Sequence, residues 1–252
     1  MYFYSKISTM KILLFIIYLT ISKITISQLW FDLGVKGGIG AGFLINKTIS
    51  TDARLSSTPG LNNFMGGKIG INFGKYHSIT IDGAFANNQY AFLQTGFLQS
   101  KEVYRYSINY SAITIAPLYR KTSDAQYLEI GPEFSFYKKG EVIDQVNPTS
   151  LGPIEANNVI NKNLTGLVFG FGGYIIGNET IALSMGLRAH YTFSNLTSPA
   201  YSSTNYPLVN YGDITTSSKT NTIAVQVLFE LNYSLGQIAH ASCGKRSAFI
   251  FF

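Results

Sequence analysis

The sequence predicts an all-β fold: an eight-stranded antiparallel transmembrane β-barrel with short periplasmic turns and long extracellular loops. Three observations carry that expectation. Apolar and polar side chains alternate with a period of two in segments of about ten residues, which places them on opposite faces of strands. The connections between segments alternate short and long, as in barrels that cross a membrane. The apolar face is nearly free of charge, while the other face is mostly Gly, Ala, Ser and Thr. Composition agrees. Of 252 residues, 46% are hydrophobic, 14% aromatic and only 13% charged, which excludes a disordered chain. One Cys excludes a disulfide-stapled scaffold and a Cys-cluster metal site.

Residues 1–27 read as a secretory leader. Lys6 and Lys11 form its positive region, Ile12–Leu19 its apolar core, and Thr25-Ile26-Ser27 a cleavage site before Gln28, with Met10 as an alternative start. Lys23 interrupts the apolar stretch and leaves it short for a membrane anchor. No later run has the length of a transmembrane helix. The leader takes three of the nineteen basic residues and none of the acidic ones, so the net charge falls from +6 to +3. Lys245 and Arg246 in the tail lower the body, residues 28–236, to +1. Nucleic acid is therefore excluded as a partner, because it needs a concentrated basic face.

The first segment sets Leu29, Phe31, Leu33, Val35, Ile39, Phe43 and Ile45 against Trp30, Asp32, Lys36 and several glycines. Met65, Ile69, Ile71 and Phe73 then oppose Lys68, Gly70 and Asn72. Ile79, Ile81 and Phe85 oppose Thr80 and Asp82. Tyr104–Tyr119 changes phase near Tyr110–Ala112, which predicts a bulge. Leu128, Ile130, Phe134 and Phe136 oppose Glu129, Glu133 and Ser135. Leu164–Ile176 is apolar on both faces and rich in Gly. Ile181, Leu183, Met185, Leu187, Tyr191 and Phe193 oppose Ser184, Arg188, His190 and Thr192. Last, Ile223, Val225, Val227, Phe229, Leu231 and Tyr233 oppose Thr222, Gln226, Glu230 and Asn232. Short turns fall near Gly74–His77, Lys121–Ala125 and Gly177–Glu179. Long polar stretches fall at 47–62, 87–102, 140–163 and 195–219. No linker divides the chain, so residues 28–236 form one barrel domain and 237–252 a C-terminal tail.

Alternation alone does not say which face points inward, and a soluble ligand-binding barrel remains the alternative. The face of small residues suits a narrow interior. Its charges balance, with Asp32, Asp82, Glu129, Glu133 and Glu230 available to Lys36, Lys68 and Arg188. His190 and Gln226 complete this expected lumenal network. Aromatics fall near segment ends (Phe31 and Phe43, Tyr104 and Tyr106, Tyr191 and Phe193, Phe229 and Tyr233), as interfacial girdles do.

Ile113-Thr114-Ile115-Ala116-Pro117-Leu118-Tyr119-Arg120, a short turn, and Tyr127-Leu128-Glu129-Ile130-Gly131-Pro132 resemble the hairpin of PorT-like outer-membrane β-barrel proteins of Bacteroidetes-type bacteria. The leader ending at Gln28 and Gly-x-Lys-Gly-Gly at Gly34–Gly38 are similar to that family too. The resemblance implies an eight-stranded outer-membrane barrel, in a group whose founding members are tied to a gliding-associated protein secretion system. Two features depart from it: Pro132 lies inside a strand, and the chain runs on past Gly236.

No motif points to catalysis, a cofactor or a metal. Gly37–Gly42 lacks the spacing of a phosphate loop and reads as space-making. His77 falls in a short turn, His240 in the tail, and none of the long loops holds a His. Glu129 and Glu133 share a face but lie roughly 13 Å apart along the strand, too far for a glycosidase pair and suited to salt bridges with Lys68 or Arg188. Cys243 is expected as a free thiol. The function expected is that of a non-enzymatic protein in the outer membrane of a Gram-negative bacterium: an envelope scaffold, a surface interaction protein or a secretion-system accessory. Its expected partners are outer-membrane lipid around the barrel and a protein met through the four long stretches. An outer-membrane enzyme acting on lipid or peptide is the second reading.

Overall fold

The computed structural model describes residues 29–74, 76–95, 103–144, 154–156, 159–178, 180–198 and 219–237. The expected leader, the tail with His240 and Cys243, and parts of the long stretches lie outside them. Eight long strands run antiparallel: β1 (Leu29–Asn46), β3 (Gly60–Phe73), β4 (His77–Thr95), β5 (Val103–Ser123), β6 (Gln126–Asp144), β8 (Asn163–Gly177), β9 (Ile181–Thr192) and β10 (Thr220–Gln237). Two short strands, β2 (Leu55–Thr58) and β7 (Ile154–Glu155), pair with β4 and β6 at the long-loop end. A single-turn helix, α1 (Lys47–Thr51), is capped by the Asn46 side chain, which accepts from the Thr48 and Ile49 amides. Neighbouring strands pair in the order β4-β3-β1-β10-β9-β8-β6-β5, and β5 returns to β4. The ring is closed and leaves no open edge in its wall.

The short turns keep one end of the barrel compact. Gly74 takes a left-handed conformation (φ 64°) after β3, and Asp124 does so (φ 49°) between β5 and β6. Between β8 and β9 the Asn178 side chain accepts from the Thr180 and Ile181 amides. His77, expected in a turn, opens β4. There its Nδ1 lies 2.5 Å from the Tyr119 hydroxyl and its ring stacks on the tyrosine.

The apolar face points outward. Val35, Ile39, Met65, Ile69, Ile81, Phe85, Phe171, Met185, Val227 and Phe229 are all exposed, and they form a continuous band around the wall. Such a surface is far too apolar for water and suits lipid hydrocarbon. A soluble barrel with an apolar interior is overturned by this orientation. None of the described residues forms a helix that is long and apolar enough to cross a membrane; strands make the crossing.

Above the band, toward the long-loop end, the strands continue. β4 runs to Thr95 and β6 to Asp144, so residues 87–95 and 140–144, expected in loops, are strand. So are 55–58 and 60–62 within the first long stretch. The outward side chains turn polar here. Asn87 donates to the Asn63 side chain at 3.2 Å and accepts from the Ser111 hydroxyl at 2.7 Å, a polar belt across three strands. The interior turns apolar: Leu44, Ile49, Leu55, Tyr90, Phe92, Tyr106, Ile108, Tyr110, Val142 and Leu196 pack into one core. Tyr90 stacks on Tyr110 and Phe92 on Tyr106, with ring centroids 6.0 and 5.1 Å apart.

This inversion corrects two expectations. β5 does not change phase: Tyr106, Ile108, Tyr110, Ala112, Ala116, Leu118 and Arg120 are all buried. Its register against β4 runs unbroken, and the extra residue is Lys138 on β6, because Ser111 faces Lys139 while Ala112 faces Tyr137. What changes near Tyr110 is the solvent outside the wall, and with it the side on which apolar residues are wanted. Tyr106 accordingly sits in the core instead of an interfacial girdle. Phe43, Tyr191, Phe193, Phe229 and Tyr233 do lie on the outer face.

Candidate functional site

The lower lumen is filled by charge. Lys36 Nζ lies 2.5 Å from Asp82 and 3.2 Å from Glu230, and Lys68 Nζ lies 2.5 Å from the same Glu230. The Arg120 guanidinium bonds Glu129 at 2.8 Å and Glu230 at 2.7 Å. Arg188 reaches Asp82 at 2.9 Å and also pairs with Glu129. Four cations and three carboxylates thus form one network whose members come from β1, β3, β4, β5, β6, β9 and β10. Burying one unpaired charge is strongly unfavourable; pairing Lys68 with Glu230 and linking each of the other six to two or more partners is what allows the lumen to hold them. Arg120 also lies over the Tyr127 ring, 4.2 Å from its centroid.

Glycine makes the room. A Cβ on Gly170 of β8 would stand 2.7 Å from a Glu129 carboxylate oxygen. One on Gly38 would stand 2.4 Å from the Phe64 ring. That ring fills the lumen beside the network, 5.8 Å from the Arg188 guanidinium carbon and 6.4 Å from the His190 ring.

Above the network His190 Nδ1 meets Glu133 at 2.9 Å. A carboxylate only accepts, so the proton of a neutral His190 resides on Nδ1 and its Nε2 carries a lone pair. Nε2 is buried and has no hydrogen-bond partner among the described residues; the same holds for Asp82 Oδ1 and Gln226 Oε1. These residues border a cavity of about 40 Å³, also lined by Phe64, Ala116 and Glu133. Tyr90, Tyr110 and Leu164 of the apolar core also line it.

Six of the ten residues expected in a lumenal network, Lys36, Lys68, Asp82, Glu129, Arg188 and Glu230, are thus joined directly. Glu133 pairs with His190 instead of Lys68 or Arg188. Gln226 lines the cavity wall, and Asp32 stands apart, accepting from the Ser234 hydroxyl at 3.0 Å. Arg120 is the member that sequence reasoning missed. Its signal was parity with Ala116 and Leu118, hidden by the supposed phase change. The described residues contain no cluster of His, Cys, Asp and Glu suited to a metal.

Residues 26–198 match the family model described as outer membrane protein beta-barrel domain. No curated protein matches the chain. Solved structures similar to it include the outer membrane protein OprG from Pseudomonas aeruginosa, with 11% identity, 83% of this chain and 96% of that chain covered, and a TM-score of 0.40. Neisserial surface protein A is 10% identical over 79% of this chain and 95% of its own, with a TM-score of 0.38. Ail of Yersinia pestis, in complex with the heparin analogue sucrose octasulfate, is 11% identical over 81% and 99%, with a TM-score of 0.36.

Proposed function

The chain belongs to the outer membrane protein beta-barrel domain family, and from that premise we propose that it is a PorT-like, non-enzymatic member that presents its long-loop end to a protein partner. It is an outer membrane β-barrel protein; the partner role is the further step. One observation carries it: the strands continue past the lipid band into a body with its own apolar core. A barrel that only anchored itself would need about ten residues per strand, whereas β4, β5 and β6 have 19, 21 and 19. The excess, which includes strand residues 55–58, 60–62, 87–95 and 140–144 of the long stretches, builds a stiff platform at the long-loop end, as befits a scaffold, a surface interaction protein or a secretion-system accessory. The ion network below and the aromatic core above leave no room for a porin channel.

The test is photo-crosslinking in intact cells, with the reactive group placed at exposed Thr95 on the platform and, as a control, at Ile181 by the short turns. A discrete adduct from the first position alone is expected. No adduct from Thr95, together with steady ion conductance of the purified protein in planar bilayers, would replace the scaffold reading with a channel.

A further inference from the structure

The wall of the barrel has one place where its ladder stops. Between β5 and β6 the register runs to Ile115 opposite Phe134 and resumes at Tyr119 opposite Ile130. Pro117 and Pro132 stand opposite each other in the gap. Hydrogen-bonded pairs alternate along an antiparallel ladder, and by that alternation this pair is one that would exchange two N–H···O bonds. Proline has no N–H, so both bonds are absent, while the next hydrogen-bonded pairs, Ile115 with Phe134 and Tyr119 with Ile130, stay in the ladder. The far sides of the two strands are intact: Pro117 pairs with Ile81 of β4 and Pro132 with Leu167 of β8.

The gap lies within the lipid band. Ile115, Tyr119, Ile130 and Phe134 flank it on the outer face and are all exposed. In hydrocarbon, two carbonyls without donors are costly to leave and find no water to replace them. Directly behind it, Ala116, Leu118 and Glu133 face the lumen in the lost register; Leu118 packs beside Ala116 and Val168, and Ala116 and Glu133 line the cavity. The weakened seam therefore backs, through a small alanine, onto the cavity that holds the unpartnered His190 Nε2.

We propose that the β5–β6 seam at Pro117 and Pro132 is a lateral portal through which a slim, single-chain amphiphile enters from the membrane. Its hydroxyl or carboxyl O–H is received by His190 Nε2, which Glu133 holds in the accepting tautomer. The alkyl chain stays in the seam, between Pro117 and Pro132, in contact with lipid. This site is independent of the partner role proposed for the long-loop end.

The experiment uses the full chain in liposomes, with Cys243→Ser to leave a single thiol at Ala116→Cys. An N-alkylmaleimide dissolved in the bilayer is expected to label that thiol at least tenfold faster than a charged methanethiosulfonate added to the water. Pro117→Ala with Pro132→Ala restores both donors and is expected to slow labelling from the membrane at least tenfold; either change alone gives an intermediate rate. Heat-dependent gel mobility confirms that each variant is a folded barrel. Decanol is expected to protect the thiol where decane does not, and His190→Ala to abolish that protection. Labelling that is insensitive to both proline changes, or equally fast from water, overturns the portal. Equal protection by decane overturns the assigned head group.

Discussion

Below the polar belt of Asn63, Asn87 and Ser111, the outward side chains of β4 and β5 are Ile79, Ile81, Phe85 and Ile115, and the inward ones include Asp82 and Arg120. Above it the outward side chains include Gln89 and Asn109, and the inward ones are Tyr90, Phe92, Ile108 and Tyr110. The strands, their pairing and their parity are the same in both halves. Only the medium outside differs. Where the wall meets lipid, hydrophobic burial in the lumen gives no advantage and a connected set of charges fills it. Where the wall meets water, the ordinary rule of an apolar inside returns. One barrel therefore holds two cores of opposite chemistry, stacked along its axis.

The comparison breaks most severely at Glu230, which serves Lys36, Lys68 and Arg120 at once. Glu230→Leu leaves the buried Lys68 without a counter-charge, and Lys36 and Arg120 with one partner each, and is expected to cost about 4 kcal/mol, read from urea unfolding in detergent or lipid. Phe92→Ala should cost about 3 kcal/mol through the cavity it leaves in the upper core. It should also expose the upper half to protease while the heat-dependent mobility of the membrane half is retained. Outside the wall, Ile81→Lys should cost about 2 kcal/mol or more, because lysine then faces hydrocarbon, whereas Gln89→Lys on the same strand should change stability by less than about 0.5 kcal/mol. Equal effects at those two positions would erase the boundary. In the belt itself, Asn87→Ala should cost about 1 kcal/mol, from loss of the bonds to Asn63 and Ser111.

The lower half was legible in the sequence because its rule is simple. Alternation, a charge-free face and a face of small residues together predict which side chains meet lipid, and they locate the eight strands and the three short turns. The upper half was not legible for a physical reason. Tyr106, Ile108 and Tyr110 are apolar on the inner face, Ile113 and Ile115 on the outer, and a one-dimensional pattern renders that change of medium as a change of phase. The same confusion hid Arg120, whose inward position follows only if β5 keeps one parity throughout. Strand ends were drawn short at Asn87 and Gly140 because polar outward residues look like loop. The ion partners of Glu133 depend on how far each strand is staggered around the ring, which alternation does not encode; His190 meets it because of the tilt and register of β6, β8 and β9.

The opposition of the two halves is tested most directly by placing a single fluorescent probe, in a Cys243→Ser background, at Ile81→Cys or at Gln89→Cys in liposomes. Brominated lipid should quench the probe at position 81 and aqueous iodide the probe at position 89. Quenching of both by iodide, with neither responding to brominated lipid, would contradict a wall whose lower half faces the membrane.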